Sequence, residues 1–259
     1  MFLDGKLDVN LPDVSDFESL QEYIIWWDNT EQLGRRAIDE LSQCRRLTGV
    51  RFDIDNVDTI SRVYTELLQQ GHQLQGLKQV GPLRDVGASL ITSLPSTLRC
   101  LHAANFTDSG LCALGDLTHL QELIINHLTH PQLMLLTKFA PASLESLELH
   151  NVFIDDEALA LLLRTTLVQV RSMYFVNVEL QSLEAFATPN QLHSLSLSAH
   201  VHQPHPRFAP QELMHIVAGC RQLRSLAIDG VTSEPLNKSF LALLRPPSML
   251  LPSLKRFSM

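Results

Sequence analysis

Residues 144–149 read LESLEL, from Leu144 through Leu149. In an extended chain successive side chains point to opposite faces, so Leu147 and Leu149 share one side while Ser146, Glu148 and His150 share the other. Such a segment is a sheet strand with a single apolar face, and one short strand cannot bury that face alone. The phrase recurs. LTGVRF begins at Leu47, LRCLHA at Leu98, LQELII at Leu120, VRSMYF at Val170, LHSLSL at Leu192, LRSLAI at Leu223 and LKRFSM at Leu254, with a weaker copy, LQGLKQV, at Leu74. Nine starts of the form L-x-x-L-x-L therefore span residues 47–254, about 26 residues apart on average.

Between the phrases lie runs whose apolar residues recur at three and four spacings. DDEALALLLRTT from Asp155, TDSGLCALGDL from Thr107 and APQELMHIVAGC from Ala209 are examples. The first two open on an acidic or hydroxyl side chain able to cap a helix. A unit of one strand and one helix buries its apolar side only when stacked on others. The expected fold class is α/β: a solenoid with a parallel sheet on the concave face and helices on the convex face. Ahead of it, Leu7, Val9 and Leu11 alternate like a strand, and Phe17, Leu20, Ile24 and Trp27 fall on one helical face. The expected organisation is an N-terminal cap of strand plus helices over residues 1–46, then about nine repeats over 47–259.

The repeats have a family likeness. AIDELSQCRRLTGVRF from Ala37 and LMHIVAGCRQLRSLAI from Leu213 both run helix, Cys, two polar residues, then L-x-x-L; LELHNVFIDDEALALLL and LHAANFTDSGLCAL follow the strand with Asn, an apolar residue and an acidic helix start. This resembles the ribonuclease-inhibitor-like leucine-rich repeats, in particular the cysteine-containing type of F-box proteins, over roughly residues 37–259. The resemblance implies a leucine-rich-repeat horseshoe that needs no cofactor. It also implies an adaptor or substrate-recognition subunit, as in ubiquitin ligases, working inside a larger complex. Two features depart from the pattern. The ninth repeat position is apolar at Phe106, Leu128, Val152, Val178 and Val231, and Asn stands one place earlier at Asn105, Asn151 and Asn177. Those Asn side chains are expected to hydrogen-bond backbone where the strand turns. The segment NLPDVSDFESLQEYIIWW, in the place of an F-box, shares its Leu-Pro start and little else.

Composition narrows the function. The chain has 45% hydrophobic residues and a formal charge of -8, with Lys and Arg scattered apart from Arg35-Arg36 and Arg45-Arg46. No nucleic-acid footprint is expected from this. An N-terminus with early acids and no long apolar run predicts neither a signal peptide nor a membrane span. Cys44, Cys100, Cys112 and Cys220 are too dispersed for a disulfide framework, and an intracellular protein with reduced thiols is expected.

Chemical motifs are sparse. His200, His202 and His205 lie within SLSAHVHQPHPR, yet no Cys, Asp or Glu nearby completes a ligand set, so the stretch reads as a polar loop and no metal is expected. Cys100 and His102 share a strand face, a pair worth weighing as a nucleophile and base, but a flat sheet supplies no oxyanion donors. No phosphate-binding Gly-rich loop, H-E-x-x-H or G-x-S-x-G occurs, and an enzyme is not indicated. Tyr23, Trp26 and Trp27 read as part of the N-terminal cap.

Function then falls to the polar strand face. Its third positions include Gly49, Gly76, Cys100, Ser172, Ser194 and Ser225, and its fifth positions Arg51, Lys78, His102, Glu148, Tyr174 and Ser196. A varied polar stripe with one large aromatic suits a protein partner. The candidate binding residues are Tyr174, Glu148, His150, Glu122, Asn126, His102 and Arg51, in a non-enzymatic protein–protein interaction module. The alternatives are a regulator of a small GTPase, like the Ran-type activating proteins of the broader repeat fold, and an enzyme using Cys and His.

Overall fold

The computed structural model describes residues 2–3, 22–26, 49–53, 79–166, 169–198, 208–209, 212–229 and 253–258. The chain divides into two compact units, Met1–Leu123 and Ile124–Met259, and the division falls inside the strand Glu122–His127.

In the first unit the strands Phe2–Leu3, Glu22–Trp26, Gly49–Asp53, Gln79–Leu83 and Cys100–Asn105 pair in chain order, each parallel to the next. Two expectations are corrected here. The helical face drawn through Ile24 does not form, because Glu22–Trp26 is a strand in register with Gly49–Asp53. Its sequence LQEYII, from Leu20, is another copy of the repeat phrase, with a β-branched and aromatic run that favours a strand once a partner strand lies alongside. The parallel ladder therefore reaches N-terminal of residue 47. The other residues of that expected helix, and Leu7, Val9 and Leu11, lie outside the described residues.

The second correction is one of register. Gln79 pairs with both Gly49 and Cys100, so it occupies the third position of its phrase, which begins at Leu77 rather than Leu74. Gly76 and Lys78 consequently do not hold the third and fifth positions. After Val80 the pairing with the next strand slips by one residue, from Val80 opposite Leu101 to Leu83 opposite Ala103. Gly81 and Pro82 stand at the slip. Proline has no amide hydrogen to give the ladder and sits in sheets mainly at such bulges.

In the second unit the strands Ser146–His150, Ser172–Val176, Ser194–Ser198, Ser225–Asp229 and Arg256–Ser258 run parallel, with matching repeat positions opposite one another throughout. Leu147, Leu149, Met173, Phe175, Leu195, Leu197, Leu226 and Ile228 are all buried, as the alternation requires. Behind them pack the helices His130–Phe139, Asp156–Leu161 and Met214–Gly219. Of the run from Ala209, Glu212 and Leu213 form a turn and Met214–Gly219 a helix. Between Ser172–Val176 and Ser194–Ser198 the return is a single 3-10 turn, Glu184–Ala187, whose Phe186 meets Phe175 edge to face with centroids 6.4 Å apart. The expected caps form: the Asp155 carboxylate accepts from Ala158 N–H at 2.8 Å, and Thr107 Oγ1 from Gly110 N–H at 3.2 Å.

At the strand exits Asn151 and Asn177 adopt left-handed backbone, with φ of 53° and 54°, and Asp85 does so at 49°. Asn and Asp tolerate that region better than other residues with a Cβ. Asn105 Oδ1 accepts from Asp85 N–H at 3.0 Å, the expected backbone bond, and Asn177 Nδ2 donates to Asn151 Oδ1 at 3.4 Å. The apolar ninth positions Phe106, Leu128, Val152 and Val178 are buried, so the place usually held by Asn or Cys adds to the core instead.

Candidate functional site

The polar face of the second unit's sheet is built residue by residue from the alternation. Ser146, Ser172, Ser194 and Ser225 stand in one row, and the next row runs Glu148, Tyr174, Ser196, Ala227. All eight are half-buried. Neighbouring parallel strands are about 4.8 Å apart, so Tyr174 has the Glu148 carboxylate side chain on one flank and the small Ser196 on the other. Ser196 is the smaller neighbour, and among the described residues no side chain engages the Tyr174 hydroxyl.

His150 lies two residues beyond Glu148 on the same side of the strand, and its Nε2–H donates to Glu148 Oε1 at 2.6 Å. The pair sits beside Tyr174 and Val176, their register partners. Three of the residues singled out from the sequence, Glu148, His150 and Tyr174, are therefore brought together. Asn126, also of the second unit, is half-buried in Glu122–His127. Arg51, His102 and Glu122 belong to the first unit: Arg51 is in register with Ile24, His102 is half-buried and Glu122 exposed.

The thiols have three distinct surroundings. Cys112 is exposed and Cys100 half-buried, in the same strand as His102 and on its side. Cys220, just past the helix Met214–Gly219, is buried and accepts from Asn190 Nδ2 at 3.2 Å. Burial pushes this thiol up to about 11, against a smaller lowering by the Asn190 bond, so it stays protonated near neutrality. Its role is packing. Cys44 and the loop with His200, His202 and His205 lie outside the described residues. Among the described residues no three His, Cys, Asp or Glu side chains gather in a way that could hold a metal ion. No described helix is long and apolar enough to cross a membrane.

No protein-family model matches the chain, and no curated protein sequence does. Solved structures do. The leucine-rich repeat-containing protein LegL7 from Legionella pneumophila aligns over 99% of this chain and 89% of its own, at 15% identity and a TM-score of 0.50. The fold is a leucine-rich repeat. Internalin C2 from Listeria monocytogenes is also similar, at 19% identity over 72% of this chain and 75% of its own, with a TM-score of 0.44. Identities at this level speak to the leucine-rich-repeat fold alone.

Sequence reasoning missed two features of this leucine-rich-repeat face. The Glu148–His150 hydrogen bond follows from an i, i+2 pair on a strand and was legible as such. The strand Glu22–Trp26 was legible too, from the near identity of LQEYII with LQELII at Leu120.

Proposed function

We propose that this chain is a non-enzymatic interaction module, an adaptor or substrate-recognition subunit of a larger intracellular assembly, that binds a protein partner on the concave, strand-lined face of its horseshoe. The single observation behind this reading is the row Glu148, Tyr174, Ser196: a half-buried aromatic ring flanked by one hydrogen-bonded carboxylate and one small residue. Tyr has a large apolar body with a polar tip and only two side-chain torsions to immobilise, which makes it a favoured anchor at interfaces. Serines around it leave a partner's backbone free to approach. The cysteine-containing repeat type is supported by Cys220, buried at a helix end where the family pattern has its cysteine, and an intracellular location by Cys112 and Cys220, which are not in disulfides.

Affinity capture with the full chain, followed by measurement of the captured partner's dissociation constant, tests the reading. Tyr174→Ala is expected to cost about 2 kcal/mol or more of binding with little change in folding, and Glu148→Ala and His150→Ala less. Tolerance of Tyr174→Ala together with loss through Trp26→Ala would move the binding surface to the N-terminal strands and end this proposal.

A further inference from the structure

The geometry points to a second feature of the same binding surface: where its strands begin, the second unit carries a basic strip that docks an acidic polypeptide segment of the partner. Arg171, Arg224 and Lys255 hold the second position of their repeat phrases, one residue ahead of the paired third positions, and Arg256 and the turn residue Arg221 adjoin them. All five are exposed. Among the described residues none of the five forms an ion pair. The described part of this unit has seven Lys and Arg in all, so most of its positive charge lies on one edge; of its nine Asp and Glu, Glu145 alone shares that edge. Asp155, Asp156, Glu179 and Asp229 stand at or beyond the opposite ends of the strands. The strip is thus a mainly positive edge of the sheet, with Glu145 beside Arg171 at one end.

Its backbone is pinned. The Arg171 carbonyl accepts from both His193 and Ser194 N–H, at 2.7 and 3.0 Å, and the Arg224 carbonyl from both Lys255 and Arg256 N–H, at 2.7 and 3.0 Å. Each cation therefore projects from a fixed point, with the spacing of the ladder. From the strand of Arg171 to that of Lys255 is three strand separations, about 14 Å, the reach of four or five extended residues. The third-position hydroxyls Ser172, Ser194 and Ser225 lie next along the strands and lead to Tyr174. A short acidic segment matches both this length and this charge. A nucleic acid is the less suited occupant, because a long polyanion reaching past the strip would meet a chain whose net charge is -8.

This inference rests on the interaction-module reading, and the test separates the two. Full chain is titrated into a dye-labelled peptide of about twelve residues made of Glu, Asp and Ser, and separately into a single-stranded RNA of matching charge, followed by fluorescence anisotropy. The peptide is expected to bind, to weaken as salt is raised, and to weaken about tenfold or more in the triple variant Arg171→Glu, Arg224→Glu, Lys255→Glu. Arg164→Glu, an exposed cation on the helical side, is expected to leave binding unchanged, and thermal melts confirm that the triple variant is folded. Failure of the wild-type chain to bind the peptide overturns the strip, as does equal binding by the triple variant or tighter binding of the RNA. Tyr174→Ala that keeps peptide binding but leaves partner affinity intact removes the Tyr174 face and not the strip.

Discussion

Gly219 lies against the carbonyl oxygen of Phe186: a Cβ built on Gly219 would sit 1.9 Å from it, and 2.6 Å from the carbonyl oxygen of Thr188. The helix Met214–Gly219 thus packs directly on the backbone of the turn Glu184–Ala187 from the preceding repeat. Because the obstacle is backbone, no rotamer change relieves it. Gly219→Ala is expected to destabilise the protein by about 3 kcal/mol, at the upper end of overpacking costs. Gly87→Ser is the comparison, since the nearest atom to a Cβ there is 3.5 Å away and the residue is a helix N-cap. Chemical denaturation of the two variants checks the difference; equal stability would remove the close approach.

Leu147 occupies the fourth position of LESLEL and is 1% exposed, opposite Met173. Leu147→Ala should cost roughly 2–5 kcal/mol, the transfer of the lost atoms plus the cavity left behind. A loss below about 1 kcal/mol in urea melts would mean that the strand is turned over.

Asn177 stands at φ 54°, where a β-branched side chain meets its own backbone. Asn177→Gly is expected to be near neutral, while Asn177→Val should lower stability by about 2 kcal/mol. The two midpoints, measured under the same conditions, should separate in that order; their coincidence would contradict the left-handed exit.

Cys220 gives a pH dependence with a definite sign. Its folded value is raised from 9.0 to about 11 by burial, so the unfolded chain releases the proton first as the solution becomes alkaline. The folded state's advantage is complete below about pH 9 and is lost progressively as pH climbs toward 11, by an amount on the order of 2–3 kcal/mol. Denaturant melts between pH 8 and 10, a window taken roughly around that onset, should show this decline in the wild type and a shallower one in Cys220→Ala. At neutral pH a thiol reagent should label exposed Cys112 well before Cys220.

Much of the strand layer was legible in the sequence because its signal is local. The alternation in LESLEL, VRSMYF, LHSLSL and LRSLAI assigns each side chain to a face from the geometry of an extended chain alone, and Leu147, Met173, Leu195 and Leu226 are buried accordingly. Helix starts at Asp155 and Thr107 were legible for the same reason, since a cap bonds an amide three residues away. Two of the candidate binding residues, Glu148 and His150, are likewise an i, i+2 pair whose contact the strand dictates.

What the tertiary structure decided depends on partners distant in the chain. Phe17, Leu20, Ile24 and Trp27 satisfy a helical period while Leu20, Tyr23 and Ile25 satisfy the repeat phrase; the hydrogen-bond ladder with Gly49–Asp53 selects the strand for Glu22–Trp26. Leu74 and Leu77 both fit as a repeat start, and pairing of Gln79 with Gly49 and Cys100 selects Leu77. The approach of Gly219 to Phe186 and the contact of Cys220 with Asn190 have no local signature, whereas Arg171, Arg224 and Lys255 share one repeat position and line up along one edge once the strands pair. Periodicity within one repeat determines which way a side chain faces. Only stacking of one repeat on the next determines what it faces, because the distances involved are set across the sheet and not along the chain.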